Sequence, residues 1–226
     1  MLENPDMVGN AEIIDERFRE IIVGTCLVER LHGGMLWGEG PVYFVDGNFL
    51  LWTDIPNSRI WQWAEGLGAR VLHQPSNYSN GQTRDREGRL VCCEHLPRRV
   101  TRHEPDGSNT VLADNYEGKK FNSPNDVVVK SDGSIWFTDP TYGIMSDFEG
   151  CKAESELGAC YVFRIDAKTG KVDIVADDFE KPNGLAFSVD ESVLYIADSA
   201  VTHNPKGAHH IRAFDVVDNK TLKGER

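Results

Sequence analysis

The sequence has few long apolar runs, little helical periodicity, a deficit of basic charge and no ordered spacing of cysteines. No apolar stretch approaches the roughly 18 residues that a membrane helix needs, so a helical membrane protein is excluded. The first residues, Met1 to Asn10, are acidic and polar and lack the basic-then-apolar pattern of a secretory leader. Lys and Arg number 24 against 36 Asp and Glu, a net charge of −12, and such a surface repels phosphate backbones. The one basic cluster, Arg98-Arg99 with Arg102 and His103, is interrupted by Val100 and Thr101. It reads as the solvent face of a strand, and no nucleic-acid partner is expected. A divalent cation suits this charge balance better.

Cysteine is equally uninformative as a framework. Cys26, Cys92, Cys93, Cys151 and Cys160 form no Cys-x-x-Cys pair, and the adjacent Cys92 and Cys93 would face opposite sides of a strand. Reduced thiols in a cytoplasmic protein are the expectation, a Cys151–Cys160 bridge the weaker alternative. Neither a Gly-x-Ser-x-Gly elbow nor a His-Glu-x-x-His helix occurs, which disfavours a serine hydrolase and a zincin. Gly38-Glu39-Gly40 does not extend to a dinucleotide fingerprint. At 226 residues the chain can bury about 70% of its unfolded surface as one domain, 1–226, without covalent staples.

What the sequence does contain is strands. Apart from Ile13 to Glu20, where Ile13, Ile14 and Phe18 share a helical face, it consists of short segments rich in Val, Ile, Phe, Tyr and Trp. Turn dipeptides such as Asp46-Gly47, Asp106-Gly107 and Asp132-Gly133 separate them. These segments repeat. Units open at Glu39, Asn80, Asn125 and Asn183, at intervals of 41, 45 and 58 residues. Second strands are expected at Phe49 to Asp54, Arg89 to Glu94, Ser134 to Asp139 and Val193 to Asp198. Third strands follow at Arg59 to Trp63, Arg98 to His103, Cys160 to Ile165 and His210 to Phe214. Fourth strands are expected at Ala69 to His73, Asn109 to Ala113 and Lys171 to Ala176, with the chain stopping inside the one expected of the fourth unit. Four-stranded units of this length indicate an all-β propeller in preference to a sandwich, with about four blades in this chain. An acidic insertion, Ile144 to Gly158, accounts for the long third interval and is placed to lie over a site. Residues Cys26 to Arg30 are expected to supply an outer strand that closes the ring.

In a propeller the first strand of each blade lines the central channel, so Glu39, Asn80, Asn125 and Asn183 converge on the axis. One carboxylate and several carboxamides make a hard oxygen cage suited to Ca²⁺, or to Mn²⁺ or Mg²⁺ with more waters, and unsuited to structural zinc. Pro124 and Pro182 restrict the approach to Asn125 and Asn183 and so aim those side chains. Asp54, Asp139 and Asp198 end second strands and are expected to cap turns near the same face. His95, after the second strand of the second blade, and Tyr142, opening the insertion, are candidate substrate contacts, with a packing role as the alternative for each.

The stretches Glu39-Gly40-Pro41, Ser123-Pro124-Asn125-Asp126, Trp136 to Gly143 and Lys181-Pro182-Asn183-Gly184-Leu185 closely resemble the senescence-marker-protein/gluconolactonase/luciferin-regenerating-enzyme-like family. The resemblance runs from about Met35 to the C-terminus. It implies a six-bladed propeller, two C-terminal blades of which are not in this sequence, with a divalent metal in the channel and hydrolysis of a small lactone. Ca²⁺ is the first choice of ion, with Zn²⁺, Mn²⁺ and Mg²⁺ as alternatives. By that resemblance Glu39 and Asn183 correspond to metal ligands, and Asn125 to a residue that meets metal in some members and substrate in others. A further aspartate, assigned as general acid/base, would lie beyond Arg226. Relatives of this architecture include phosphotriesterases, so a fluorophosphatase-like hydrolase and a non-enzymatic binding propeller are the competing readings.

Overall fold

The computed structural model describes residues 7–8, 10–23 and 27–225. The chain divides into two compact units, Met1–Gly34 and Met35–Arg226. In the first, β1 (Met7–Val8) and β2 (Ala11–Glu12) form a small hairpin, followed by a single 3-10 segment, Glu16–Glu20. The helical periodicity around Ile13 thus yields only a short turn. Asp15 caps it by accepting the Arg17 amide, and the β-branched run Ile21-Ile22-Val23 does not propagate it. The expected closing strand is not formed: residues 27–30 carry no regular structure, and Cys26 lies outside the described residues. Leu27 and Val28 are 74% and 75% exposed, so no burial favours strand pairing there.

The second unit is a succession of four-stranded antiparallel sheets. The first blade is β3 (Gly38–Phe44), β4 (Phe49–Asp54), β5 (Arg59–Ala64) and β6 (Gly68–His73). The second is β7 (Ser79–Arg84), β8 (Leu90–Glu94), β9 (Arg99–His103) and β10 (Asn109–Ala113), after which β11 (Asn115–Tyr116) and β12 (Lys119–Lys120) make a small hairpin. The third is β13 (Val127–Val129), β14 (Ile135–Asp139), β15 (Cys160–Ile165) and β16 (Val172–Phe179). The fourth is β17 (Pro182–Phe187), β18 (Val193–Asp198), β19 (His210–Val217) and β20 (Thr221–Glu225). Four propeller blades are present, as the repeats indicate. The fourth strand expected of the last blade is formed at the end of the chain: Val217 pairs Thr221, Val216 pairs Leu222 and Asp215 pairs Lys223. Asp218 and Asn219, both left-handed at φ 52° and 56°, make the tight turn that returns the chain, residue types that tolerate that backbone.

Hydrophobic cores lie between successive sheets, because each strand sends alternate side chains to opposite faces. Cys92 joins Phe44, Leu51 and Ile60, while its neighbour Cys93 joins Phe121, Phe137 and Phe163. The third core is Trp136, Val162, Leu194, Ile196 and Phe214. Cys92, Cys93, Cys151 and Cys160 are free thiols. The basic cluster is not the solvent face expected of it. Arg98 is buried, with its guanidinium on the Phe121 carbonyl, and Arg99 and Arg102 pair with Glu94 and Glu104 at 2.8 and 2.7 Å. Among the described residues no helix is long and apolar enough to cross a membrane.

Candidate functional site at the propeller axis

Three local devices aim the first strands. The ladder between first and second strand is broken by a bulge at the same place in three blades, between Glu39 and Val42, Ser79 and Gln82, and Pro182 and Leu185. A bulge re-aims a side chain without ending the strand. Glycine follows the polar residue in each: Gly40, Gly81 and Gly184. A Cβ on Gly40 would stand 2.3 Å from the Asn80 carbonyl, and one on Gly81 would stand 2.5 Å from that of Asn125. Side chains are excluded there because neighbouring first strands touch backbone to backbone. Finally, the aspartates that end second strands hold the segment leading into the first strand. Asp54 accepts the amides of Leu36 and Trp37, Asp139 those of Asn122 and Ser123, and Asp198 those of Glu180 and Lys181, all at 2.7–3.2 Å. These carboxylates therefore satisfy backbone donors that a loop would otherwise bury unpaired.

The result is a cavity of about 350 Å³ lined by Glu39, Asn80, Asn125 and Asn183 together. A second carboxylate in this lining was not anticipated from the sequence. Asp126 joins it, with Oδ1 accepting the Val127 amide at 2.9 Å and Oδ2 the Leu185 amide at 3.3 Å. Burial pushes its carboxyl up to about 6, and the charge of Glu39 adds to the rise. The available signal was that Asp126 stands where the other three repeats have glycine. Glu39 itself is held by the Trp37 indole, whose Nε1–H donates to Oε1 at 3.3 Å.

The carboxamides are anchored differently. Asn183 donates from Nδ2 to Ser199 Oγ at 3.0 Å, and Asn80 Nδ2 lies 3.3 Å from His95 Nε2. Among the described residues, the Asn125 side chain makes no hydrogen bond, so either end of its amide is available to a ligand. His95 does not line the cavity. It is 1% exposed, and its Nδ1 lies 2.8 Å from the Glu149 carbonyl of the insertion. Burial holds its ring down to about 4. Tyr142 is also outside the lining, its hydroxyl bonding Ser199 and Thr202 of the fourth blade. The insertion, entered through a short helix at Tyr142–Met145, brings Glu149 close enough to Glu39 for their charges to interact; burial and that repulsion raise the Glu149 carboxyl.

Donor chemistry here fits a hard divalent cation. Two carboxylates and four carboxamides, Gln82 among them, line one cavity without sulfur or imidazole, and among the described residues no three His, Cys, Asp or Glu side chains gather into a metal site. A cation would also offset the mutual repulsion of Glu39 and Asp126.

Comparison with known proteins agrees with this architecture. Residues 37–226 match the SMP-30/Gluconolactonase/LRE-like region. A gluconolactonase of Zymomonas mobilis is 30% identical over 210 residues, covering 87% of this chain and 58% of that protein. A lactonohydrolase of Aspergillus oryzae is 29% identical over 206 residues, covering 82% of this chain and 46% of that one. Among solved structures, a gluconolactonase of Xanthomonas campestris superposes with a TM-score of 0.80 at 37% identity, covering 87% of this chain and 63% of its own. The chain thus spans between about half and just under two thirds of the length of these relatives.

Proposed function

The chain belongs to the SMP-30/gluconolactonase/LRE-like family, and on that premise we propose that the propeller it contributes to opens a small lactone, foremost a sugar lactone such as gluconolactone, with a divalent cation on its axis. The observation that carries this reading is the convergence of Glu39, Asn80, Asn125 and Asn183, one from each blade, on a single oxygen-lined cavity. Similarity to proteins named gluconolactonase and lactonohydrolase supports the substrate class.

Glu39 and Asn183 would hold the ion, with Asn125 direct or through water; Ca²⁺ suits this set first, with Zn²⁺, Mn²⁺ or Mg²⁺ as alternatives. When bound, such an ion polarises the lactone carbonyl and stabilises the charge that develops on its oxygen. The unanchored amide of Asn125 can donate to a ring or hydroxyl oxygen and orient the substrate. A cavity of about 350 Å³ lies within the size range of small-molecule sites and can admit a sugar-sized ligand. The insertion limits access at the mouth and selects among lactones by shape and polarity. The proton of the attacking water is assigned to an aspartate of a further blade, beyond Arg226 in sequence, as the resemblance implies.

A pH-stat assay of the longer parent protein on sugar lactones, other lactones and a phosphotriester tests this. Sugar-lactone opening that is lost on chelation and restored by Ca²⁺ is the expected result. Phosphotriester turnover without lactone opening would replace the reading by a phosphotriesterase. No turnover by the metal-loaded protein would leave a binding propeller.

A further inference from the structure

We propose that His95 is a positioning residue that turns the Asn80 carboxamide oxygen toward the axial cavity and so makes Asn80 an oxygen donor there. The inference rests on the axial site of the proposed function for what that oxygen binds, though not for its orientation.

The chain of constraints begins in the insertion. The Glu149 carbonyl, 2.8 Å from His95 Nδ1, can only accept, so Nδ1 carries the proton. The ring is sealed from solvent and no carboxylate bonds to it, so it is neutral and Nε2 carries a lone pair. The Asn80 side chain faces that lone pair at 3.3 Å and must therefore present its NH₂ to it. Oδ1 is then left for the cavity that Asn80 lines, and among the described residues no group donates to it. A backbone carbonyl of the insertion thus determines, through one imidazole, which end of an axial amide is offered.

The fourth blade repeats the device. Ser199 accepts from Asn183 Nδ2 at 3.0 Å, and Ser199 and His95 each directly follow the last residue of a second strand, Asp198 and Glu94. In the third blade that place is Pro140, whose side chain accepts nothing, and Asn125 is correspondingly unanchored. In the first it is Ile55, and Glu39 has no NH₂ to hold. An acceptor is present in the two blades where the Nδ2 of the axial amide is anchored, and those are the blades whose amides are oriented.

Long-range ¹H–¹⁵N correlation of the histidine rings in the full chain at pH 7 tests the orientation without any metal. A single Nδ1–H tautomer for His95 is expected. An Nε2–H tautomer or a charged ring would overturn the proposal, because the ring would then demand the oxygen of Asn80. Calorimetric titration with Ca²⁺ tests the donor role. Asn80→Ala and His95→Phe, which keeps a buried ring without an acceptor, should each weaken binding by about tenfold or more, while His95→Gln, which retains an acceptor, should recover part of the loss. Wild-type affinity in Asn80→Ala, with Glu39→Gln impaired, would remove Asn80 from the donor set. Failure of the wild-type chain to bind Ca²⁺ would count against the metal reading instead, and the tautomer would still decide the orientation.

Discussion

Thr138 Oγ1 donates to the main-chain carbonyl of Asn183 at 2.8 Å while receiving the Asp126 amide at 3.2 Å. One buried hydroxyl of the third blade's second strand thereby ties the start of its own first strand to that of the next blade. Thr53 makes the corresponding bond to the Asn80 carbonyl at 3.1 Å. Thr138→Val keeps the shape and leaves a buried carbonyl and amide unpaired. It should cost about 1–3 kcal/mol in urea denaturation. Unchanged stability would show that the hydroxyl only fills space.

Asp139 uses both carboxylate oxygens, one for the Asn122 amide and one for that of Ser123. Asp139→Asn retains one acceptor and turns an NH₂ against the other amide. A loss of about 2 kcal/mol or more is expected, larger than for any exposed Asp→Asn change. A shift in midpoint below about 0.5 kcal/mol would mean that the incoming segment is held by other contacts.

Gly143 lies against the His95 ring, and a Cβ there would stand 2.5 Å from Cγ. The ring is boxed in by Asn80 and Glu149, so Gly143→Ala should displace the insertion and cost about 1–3 kcal/mol. Hydrogen exchange of the Cys151 amide, which bonds the Gly143 carbonyl at 3.1 Å, should accelerate. Protection equal to wild type would show that the ring yields instead.

Glu39→Gln conserves the volume of the side chain and removes its charge from the cavity. Ca²⁺ affinity should fall by about tenfold or more in calorimetry. The same affinity in both proteins would exclude Glu39 as a ligand.

His73 and His103 face each other across the first two blades with ring centroids 5.0 Å apart. Burial, with His73 contributing, holds His103 down to about 4, and burial lowers His73 as well. A base whose folded value lies below its unfolded 6.5 is stabilising above that value, and the stability is lost as pH falls from about 6.5 toward 4. Stability should therefore drop through this window by an amount on the order of 1–3 kcal/mol, and His103→Asn should lessen the dependence, with the buried His95 ring contributing the remainder. An equal slope in the variant would assign the acid sensitivity to other groups.

The strand–turn repeats determined the blades, because a period of two between Asp-Gly turns leaves a residue little choice but to alternate between faces. They also determined that Glu39, Asn80, Asn125 and Asn183 open equivalent strands, since equivalent positions in a rotationally repeated structure must converge. The turn at Asp218-Asn219 is legible in the same way, because both residue types tolerate a left-handed backbone. Asp126 could not be read the same way. In a regular strand it would face away from Asn125, and only the break before β13, where Asn125 donates to the Thr138 carbonyl and Thr138 to that of Asp126, with the Leu185 amide of the next blade donating to its carboxylate, brings both side chains to one cavity. His95 was legible as a polar residue after a second strand, yet its role depends on the Glu149 carbonyl, 54 residues away in sequence. Local periodicity chooses which residues approach the axis. Which atom each presents there is decided by hydrogen bonds between distant segments, and those exist only once the blades have packed.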